Sequence, residues 1–215
     1  MDDGVRTVYL VDDDEAIRRS ASFMLKTSGF AVSAYPSGVD FLKEVKSLDP
    51  GCILLDVRMP GMDGIEVQQE LRNRGIVFPV IVMTGHGDVG VAVQAMKAGA
   101  VDFIEKPFEK ATMIGAIEEG FARIEQSNRI QTRASEAQVR LEALTPREKD
   151  VLAGLARGLP NKTIAYDLNI SPRTVEIHRA NLMQKLEVRS LSEALRLAFA
   201  AGMGEAPEAG SCSMI

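Results

Sequence analysis

Short apolar segments alternate with amphipathic helical patterns through the first half of this 215-residue chain. The apolar segments predict five β-strands, which fall at residues 7–11, 31–35, 52–57, 79–84 and 102–106. Because each segment is followed by helical periodicity, the spacing predicts one parallel sheet with helices packed on both faces. The first half is therefore predicted to be an α/β doubly wound (βα)5 domain, in which ligands bind beyond the carboxyl ends of the strands.

The sequence after Leu144 contains helical patterns only. Helices are predicted at residues 145–157, 161–168, 171–186 and 191–201. Thr145 and Glu148 form a predicted capping box for the first of these helices, and Asn161 is the predicted N-terminal cap of the second. Two short helices joined by a tight turn predict a helix-turn-helix within a small all-α four-helix domain.

A long helix is predicted between the two halves. From Thr112 to Leu144 the chain has no proline, and Ile117 and Ile124 belong to an apolar stripe with helical spacing. Because the sequence becomes polar beyond Ser127, an ordinary flexible linker remains the alternative. The predicted organisation is an α/β domain, a helical linker that extends its fifth helix, a helix-turn-helix domain and a disordered tail, at residues 1–122, 123–141, 142–203 and 204–215.

Charge is distributed unevenly over the chain, whose formal net charge is −5. Residues 1–110 carry 12 Lys and Arg against 17 Asp and Glu, whereas residues 145–201 carry 9 against 6. An acidic half joined to a mildly basic module suggests two functions on one chain. Aromatic residues make up only 5% of the chain and include no tryptophan, which disfavours base-stacking platforms and aromatic carbohydrate clefts.

Cysteine usage and hydropathy predict a cytoplasmic protein. Cys52 and Cys212 form neither a disulfide framework nor a metal-ligand cluster, which favours a reducing compartment. The N-terminal residues lack the apolar region of a secretory signal, and no apolar run approaches the roughly 18 residues that a membrane span needs. No membrane association is therefore expected.

Carboxylates cluster at the predicted carboxyl ends of the strands. Asp12 and Asp13 follow the first strand, and Asp56 lies at the end of the third. Thr84 and Lys106 end the fourth and fifth strands. Grouped carboxylates repel one another unless a cation joins them, and oxygen ligands with open water positions suit Mg²⁺. Because a carboxylate can also attack phosphorus, with a lysine and a hydroxyl stabilising the phosphoryl oxygens, Asp56, Lys106 and Thr84 fit those three roles.

The first half resembles the receiver domain of two-component response regulators, which has a flavodoxin-like fold. The resemblance covers residues 5–122, and the matching stretches read VDDDEAIRRS (11–20), LLDVRMPGMDG (54–64), VMTGHG (82–87) and AGAVDFIEKPF (98–108). It implies that a sensor histidine kinase phosphorylates Asp56 and that Lys106 contacts the phosphoryl group.

The same resemblance implies a magnesium site and a cis peptide bond. Asp13 and the backbone carbonyl of Arg58 would bind Mg²⁺ together with Asp56. Asp12 would act on the ion mostly through water. The bond between Lys106 and the proline that follows it is expected to be cis.

The receiver resemblance also makes Thr84 and Phe103 a switch pair. On phosphorylation, Thr84 would move toward the new phosphoryl oxygens and leave space for Phe103, which would change the surface of the fourth helix, fifth strand and fifth helix. We expect homodimerisation on that surface after phosphorylation. The fourth helix has more apolar side chains than one core face needs, namely Val91, Val93, Ala95, Met96 and Ala98. The alternative is that these side chains pack wholly inward.

The third helix of the C-terminal half has a face suited to DNA. Its core-facing stripe consists of Val175, His178, Leu182 and Leu186, where His178 is expected to be packed or capping rather than catalytic. The opposite face mixes phosphate partners, hydrogen-bonding groups and small apolar groups, at Arg173, Thr174, Glu176, Ile177, Arg179 and Ala180. Lys162 lies at the start of the preceding helix, a position from which a basic side chain can contact a DNA phosphate. By composition alone, a DNA-binding helix and a solvated helix are equally good interpretations.

The C-terminal half resembles a LuxR/GerE-type helix-turn-helix domain, over the stretch LTPREKDVLAGLARGLPNKTIAYDLNISPRTVEIHRANLMQKLEVRS (144–190). Its pairing with a receiver is similar to the FixJ-type subgroup of response regulators. The resemblance implies that helix 171–186 enters the major groove and that helix 191–201 supports dimerisation. A dimer predicts a pseudo-palindromic operator in double-stranded DNA, and RNA polymerase is a further candidate partner. Many relatives carry lysine where Glu176 stands, so their base preferences do not transfer.

The expected function is a phosphorylation-activated transcription regulator rather than an enzyme, with chemistry limited to phosphorylation and autodephosphorylation at Asp56. One alternative is an aspartate-nucleophile phosphatase, although Asp56 lacks a second aspartate two residues later to act as an acid. The other is a phosphorelay sink or protein-interaction regulator that does not bind DNA.

Overall fold

The computed structural model describes residues 6–85 and 89–204. The chain forms two compact units that are divided between Gln126 and Ser127, within the predicted linker 123–141. Within the described residues, no helix is long and apolar enough to cross a membrane. The predicted tail beyond Gly204 and residues 86 and 87 of the VMTGHG motif lie outside the described residues.

The first unit is built on a five-stranded parallel sheet with the strand order β2–β1–β3–β4–β5. The strands are β1 (Thr7–Val11), β2 (Ala31–Tyr35), β3 (Cys52–Asp56), β4 (Val80–Thr84) and β5 (Asp102–Glu105). The helices are α1 (Glu15–Lys26), α2 (Gly38–Glu44), α3 (Gly64–Asn73), α4 (Val89–Lys97) and α5 (Lys110–Glu142), with a 3-10 turn at Val45–Ser47 after α2. The predicted α/β doubly wound (βα)5 fold is confirmed.

Side chains of the sheet alternate between two apolar cores, as the twofold period of β-strands requires. One core includes Val11, Phe41, Leu55, Val67 and Val82. The core on the opposite face includes Leu10, Leu25, Leu54, Met83 and Ile117. The central strands β3 and β4 are buried along their whole length because helices cover both faces of the sheet.

The register of the sheet brings polar residues to one edge. Asp56 is paired with Met83 in the register of β3 and β4, and Asp12 directly follows β1. The backbone amide of Lys106 donates to the carbonyl of Thr84 over 2.7 Å. The carboxyl ends of β1, β3, β4 and β5 therefore present these residues at the same edge of the sheet.

Side-chain caps begin the helices that follow this edge. Asp14 accepts hydrogen bonds from the first turn of α1, and Ser37 does the same for α2. Asp63 and Glu66 form a capping box at the start of α3. These caps allow the chain to leave a strand and enter a helix within a few residues.

The helix α5 is continuous over 33 residues and crosses the division between the two units. Its first part packs Met113, Ile117 and Phe121 in the core of the first unit. Its last part places Leu141 in the core of the second unit. Residues 112–142 are therefore helical rather than an irregular linker.

The second unit contains four further helices around one apolar core. They are α6 (Pro146–Ala156), α7 (Asn161–Asp167), α8 (Pro172–Lys185) and α9 (Leu191–Ala200). Their core includes Leu144, Leu152, Val175, Leu182 and Ala194. The capping box of Thr145 and Glu148 is present at the start of α6. The predicted small all-α domain with a helix-turn-helix is confirmed.

The start of α7 differs from the prediction. Pro160 has the extended backbone of an N-cap, and Asn161 is the first helical residue. The side-chain oxygen of Asn161 instead accepts a hydrogen bond from Arg179 of α8 over 3.0 Å. The predicted capping role of Asn161 is therefore wrong, because its side chain pairs with another helix rather than with its own.

Candidate functional site

Three carboxylates lie together at the carboxyl edge of the sheet. One oxygen atom from each of Asp12, Asp13 and Asp56 lies within 4.8 Å of the others. Asp12 and Asp56 are buried, whereas Asp13 is exposed. A mixture of buried and exposed carboxylate oxygens suits a Mg²⁺ ion, which usually keeps several water ligands. The donor set therefore fits the metal that the sequence predicts.

Lys106 reaches the same cluster from the end of β5. Its Nζ atom lies 2.7 Å from Asp12 Oδ2 and 3.0 Å from Asp56 Oδ1. The bond between Lys106 and Pro107 is cis, as the receiver resemblance implies. Asp12 also accepts a hydrogen bond from the backbone amide of Asp14 over 2.8 Å. One positive charge thus lies between two buried carboxylates.

Burial and hydrogen bonding shift the pKa values of this ion pair. Burial raises the pKa of the Asp56 carboxyl, and contact with Lys106 offsets only part of that effect. For Lys106, burial alone would lower the pKa, but hydrogen bonds to Asp12 and Asp56 outweigh burial and raise it above its ordinary value. Lys106 is therefore a cation at neutral pH and attracts anionic groups to Asp56.

The loop after β3 is held by close backbone packing. A Cβ atom on Gly64 would lie 2.4 Å from the backbone oxygen of Asp56, so the approach of the two segments requires glycine. The amide of Gly64 also donates to the carbonyl of Val57 over 2.9 Å. Arg58 is exposed within this loop. Both ends of the short segment that carries Arg58 are thereby fixed next to the carboxylate cluster.

Thr84 and Phe103 lie on the neighbouring strands β4 and β5 but differ in exposure. Thr84 is buried at the end of β4, whereas Phe103 is 40% exposed. On α4, which contacts β5, the side chains of Val93 and Met96 are also exposed, at 48% and 42%. Among the residues that the structure describes, Val93, Met96 and Phe103 are thus large apolar side chains that α4 and β5 present to solvent.

The apolar residues of α4 divide between the core and this surface. Ala95 is fully buried and belongs to the core-facing part of the apolar side chains of α4. Val91 and Ala98 are half-buried, and Val93 and Met96 remain exposed. The division follows the 3.6-residue period of the helix, which turns one side of α4 toward the sheet. The alternative in which all five residues pack inward is therefore wrong, because Val93 and Met96 are exposed.

The face of α8 that was predicted to meet DNA is largely open to solvent. Ile177 is 51% exposed, Ala180 is exposed and Thr174 is half-buried. The side chains of Arg173 and Glu176 are 84% and 55% exposed, and their charged groups lie 3.4 Å apart. Polar, charged and apolar groups therefore stand side by side on the first two turns of α8, where base edges are read in helix-turn-helix proteins.

Two further predicted DNA contacts lie at the junction of α7 and α8. Lys162 is exposed at the start of α7. Arg179 is half-buried and is held by Asn161, the residue before Lys162. The structure thus brings Lys162 and Arg179 to one region of the helix-turn-helix.

The core-facing stripe of α8 agrees with the helical spacing. Val175, Leu182 and Leu186 are buried. His178 is half-buried on the same stripe, and its Nδ1 atom is buried without a hydrogen-bond partner among the described residues. This environment agrees with a packed histidine.

The sequence did not reveal two polar contacts that hold the C-terminal end of α8. Lys185 Nζ lies 2.8 Å from the buried carboxylate of Glu148. The guanidinium group of Arg140 donates to the backbone oxygen of Leu186. Glu148 could be recognised from sequence as part of a capping box, but its partner 37 residues later could not.

The chain matches two known protein families, one in each unit. Residues 8–118 match the response regulator receiver domain, and residues 142–198 match the bacterial regulatory proteins of the luxR family. The chain is a response regulator. It carries a receiver domain and a LuxR-type DNA-binding domain, and it is a transcription regulator rather than an enzyme.

The relatives of this response regulator match both of its units. The chain is 50% identical over 202 residues to the transcriptional regulatory protein FixJ of Azorhizobium caulinodans, which covers 94% of the chain and 96% of that protein. Crystal structures of full-length FixJ from B. japonicum match with a TM-score of 0.59 at 45% identity, over 92% of this chain and 98% of theirs. The response regulator StyR matches with a TM-score of 0.72 at 39% identity, over 91% and 99%. The predicted membership of the FixJ-type subgroup is confirmed.

The two domains of the response regulator imply its classes of partner. A receiver domain implies a histidine kinase, and a LuxR-type domain implies DNA. Receiver domains bind Mg²⁺ at an acidic pocket, and Asp12, Asp13 and Asp56 form such a pocket here.

Proposed function

We propose that a sensor histidine kinase transfers a phosphoryl group to Asp56 and that this transfer promotes dimerisation and operator binding. The observation that carries the proposal is the position of Lys106 Nζ, 2.7 Å from Asp12 and 3.0 Å from Asp56 in a pocket with Asp13. A fixed cation beside one buried carboxylate nucleophile is the arrangement that phosphoryl transfer to aspartate requires.

In the proposed step, a carboxylate oxygen of Asp56 attacks phosphorus. The bond from phosphorus to the histidine nitrogen of the kinase breaks, and the electron pair of that bond stays on the nitrogen. Lys106 and the hydroxyl of Thr84 stabilise the phosphoryl oxygens during transfer and in the acyl phosphate that results. Asp56 is the phosphoacceptor, and Lys106 and Thr84 are the supporting catalytic groups.

Mg²⁺ is the proposed cofactor of this step. Asp13, Asp56 and the backbone carbonyl of Arg58 would hold the ion, and Asp12 would act mostly through water. When bound, Mg²⁺ supplies positive charge that offsets the negative charge of the phosphoryl oxygens. The three grouped carboxylates, which carry more negative charge than Lys106 balances, support this assignment.

Phosphorylation is proposed to act on the surface of α4, β5 and α5. The phosphoryl group draws the Thr84 hydroxyl toward it, and Phe103 moves into the space that Thr84 leaves. The exposed Val93, Met96 and Phe103 supply apolar area that a second copy of the chain would bury. We therefore assign the homodimer interface to this surface.

The phosphorylated dimer is proposed to bind a pseudo-palindromic operator. Two copies of α8 related by a twofold axis read two half-sites in the major groove. The residues assigned to DNA contact are Lys162, Arg173, Thr174, Glu176, Ile177, Arg179 and Ala180. Bound at a promoter, the dimer would act on RNA polymerase as a further partner.

The test replaces Asp56 with Asn in the full-length chain. The small phosphodonor acetyl phosphate, with Mg²⁺, should shift the unmodified protein to a dimer in light scattering and raise its operator affinity about tenfold. Asp56→Asn should show neither response. Asp40→Asn, which removes an aspartate paired with Lys43 on α2, serves as the control and should respond fully. A full response of Asp56→Asn would show that the proposal is wrong.

A further inference from the structure

Glu176 is an acidic residue on the face of α8 that is otherwise suited to DNA. Its side chain is 55% exposed in the second turn of the helix, beside Ile177, which is 51% exposed. DNA presents a dense row of negative phosphates, so a carboxylate on a DNA-binding surface weakens general attraction. Its presence there is favourable where the carboxylate forms a hydrogen bond that a neutral side chain could not replace.

Arg173 offsets the negative charge of Glu176, and the Glu176 side chain remains exposed. The guanidinium Nη1 lies 3.4 Å from Glu176 Oε2, one turn away on the same helix. Because the Arg173 side chain is 84% exposed, its contact with Glu176 is weak and can be exchanged for a contact with DNA. The carboxylate of Glu176 is thus accompanied by a cation and remains available to accept hydrogen bonds.

The hydrogen-bonding chemistry of a carboxylate restricts which base it can read. An ionised carboxylate only accepts hydrogen bonds. In the major groove, guanine offers two acceptors, and thymine offers an acceptor and a methyl group, so neither provides a donor. Adenine offers the N6 amino group, but its N7 acceptor lies beside that donor and repels a carboxylate. Cytosine offers the N4 amino group without a neighbouring acceptor on its own edge.

We propose that Glu176 is a specificity-determining residue that selects cytosine at one base pair of each operator half-site. The carboxylate accepts a hydrogen bond from cytosine N4, and Arg173 compensates its charge against the phosphates. This inference rests on the proposed DNA binding and adds the identity of one base to it.

Selection of bound sequences from a random DNA library tests the proposal. The full-length protein with acetyl phosphate should enrich a two-fold site with cytosine at one position of each half-site. Glu176→Ala should lose the preference at that position while the rest of the site is retained. Glu176→Gln should change the preference to adenine, because an amide pairs with adenine N6 and N7. Glu142→Gln, which removes an exposed negative charge from α5, should retain cytosine.

A base analogue tests the individual hydrogen bond. N4-methylcytosine at the selected position places a methyl group where the free amino hydrogen stood. The unmodified protein should bind this duplex about tenfold more weakly than the cytosine duplex, whereas Glu176→Ala should bind the two about equally.

The outcomes separate this inference from the proposed function. If the phosphorylated protein enriches no sequence, the proposed operator binding is wrong and the inference falls with it. If it enriches a site but Glu176→Ala leaves every base preference unchanged, the proposed function stands and the inference is overturned. A change of preference from cytosine to adenine in Glu176→Gln supports both.

Discussion

The ammonium group of Lys185 lies 2.8 Å from the carboxylate of Glu148 and joins the last turn of α8 to the first turn of α6. The Glu148 side chain is 4% exposed, whereas that of Lys185 is 38% exposed. Glu148 also accepts a hydrogen bond from the backbone amide of Thr145 over 2.8 Å. A single buried carboxylate thus holds both the start of α6 and the end of α8.

We predict that this carboxylate makes the second unit sensitive to acid. Burial alone would raise the pKa of Glu148, but hydrogen bonds from Lys185 and Thr145 outweigh burial and lower it below 4.5. The stabilisation is therefore complete above pH 4.5 and is lost as the pH falls through the lowered pKa. Glu148→Gln should reduce the free energy of unfolding by about 1–3 kcal/mol at pH 7 and by much less in acid.

Calorimetry of the full-length chain, as a function of pH, would measure this effect on the unfolding of the helical unit. Glu187→Gln makes the same charge change at an exposed residue after α8 and is the control. An effect of Glu148→Gln that is equally large at every pH would contradict the prediction.

The contact between Asn161 and Arg179 is predicted to position Arg179 for DNA. Asn161→Ala should lower operator affinity about fivefold, because it removes one hydrogen bond to a charged side chain at 3.0 Å. In the Arg179→Ala background, Asn161→Ala should change affinity little, since the two residues act as one unit. Fluorescence anisotropy with a fixed operator and salt concentration measures the four affinities, and strictly additive effects would argue against the coupling.

Arg6 is predicted to stabilise the first unit more than an ordinary surface arginine. Its guanidinium forms two hydrogen bonds to Glu118, at 2.6 and 2.8 Å, and lies 5.0 and 5.1 Å from the ring centres of Phe30 and Phe121. Arg6→Ala should lower the free energy of unfolding of the first unit by about 1–2 kcal/mol. The substitution removes both a bidentate ion pair and the stacking of the guanidinium group on two aromatic rings.

The matched control for Arg6 is Arg19, whose side chain is 80% exposed and pairs with Glu15 within α1. Arg19→Ala should lower the free energy of unfolding by less than about 0.5 kcal/mol, because the ion pair that it removes is exposed. Arg6→Lys should restore little of the lost stability, because lysine lacks the planar fork. Urea unfolding curves of the three variants provide the comparison.

Two glycines of α5 are predicted to respond to alanine in opposite directions. At Gly120 a Cβ atom would lie 2.7 Å from Cys52 Sγ, so Gly120→Ala should destabilise the first unit by about 1–3 kcal/mol. At Gly115 nothing lies within 4 Å of a Cβ atom, so Gly115→Ala should stabilise the helix by about 0.5–1 kcal/mol. Cys52→Ala removes the obstructing sulfur. In that background, Gly120→Ala should therefore lower the free energy of unfolding by a smaller amount. Melting temperatures of these variants would show whether the signs differ.

The sequence was sufficient to place most of the acidic pocket. Asp56, Thr84 and Lys106 end strands that alternate with helices, and a parallel sheet brings all such strand ends to one edge. The position of these residues follows from the order of the strands, without knowledge of any side-chain contact.

Contacts between distant segments could not be predicted in the same way. Asn161 has the residue type of a helix cap, but it pairs with Arg179, 18 residues later, and no local spacing indicates that contact. In α4, where most residues are apolar, composition does not separate the buried Ala95 from the exposed Met96. The orientation of a uniformly apolar helix depends on the surface against which it packs.

In the proposed function, the acidic pocket also makes signalling depend on how completely the sheet has folded. Its groups come from the ends of four separate strands, and the contact between Asp12 and Lys106 closes a loop of 94 residues. A chain that has formed only part of the sheet therefore does not bring the carboxylates and Lys106 together. Contacts between such distant residues form slowly, so a nascent or damaged chain passes through states without a pocket. In the proposed function, only molecules in which these four strands have assembled can accept a phosphoryl group.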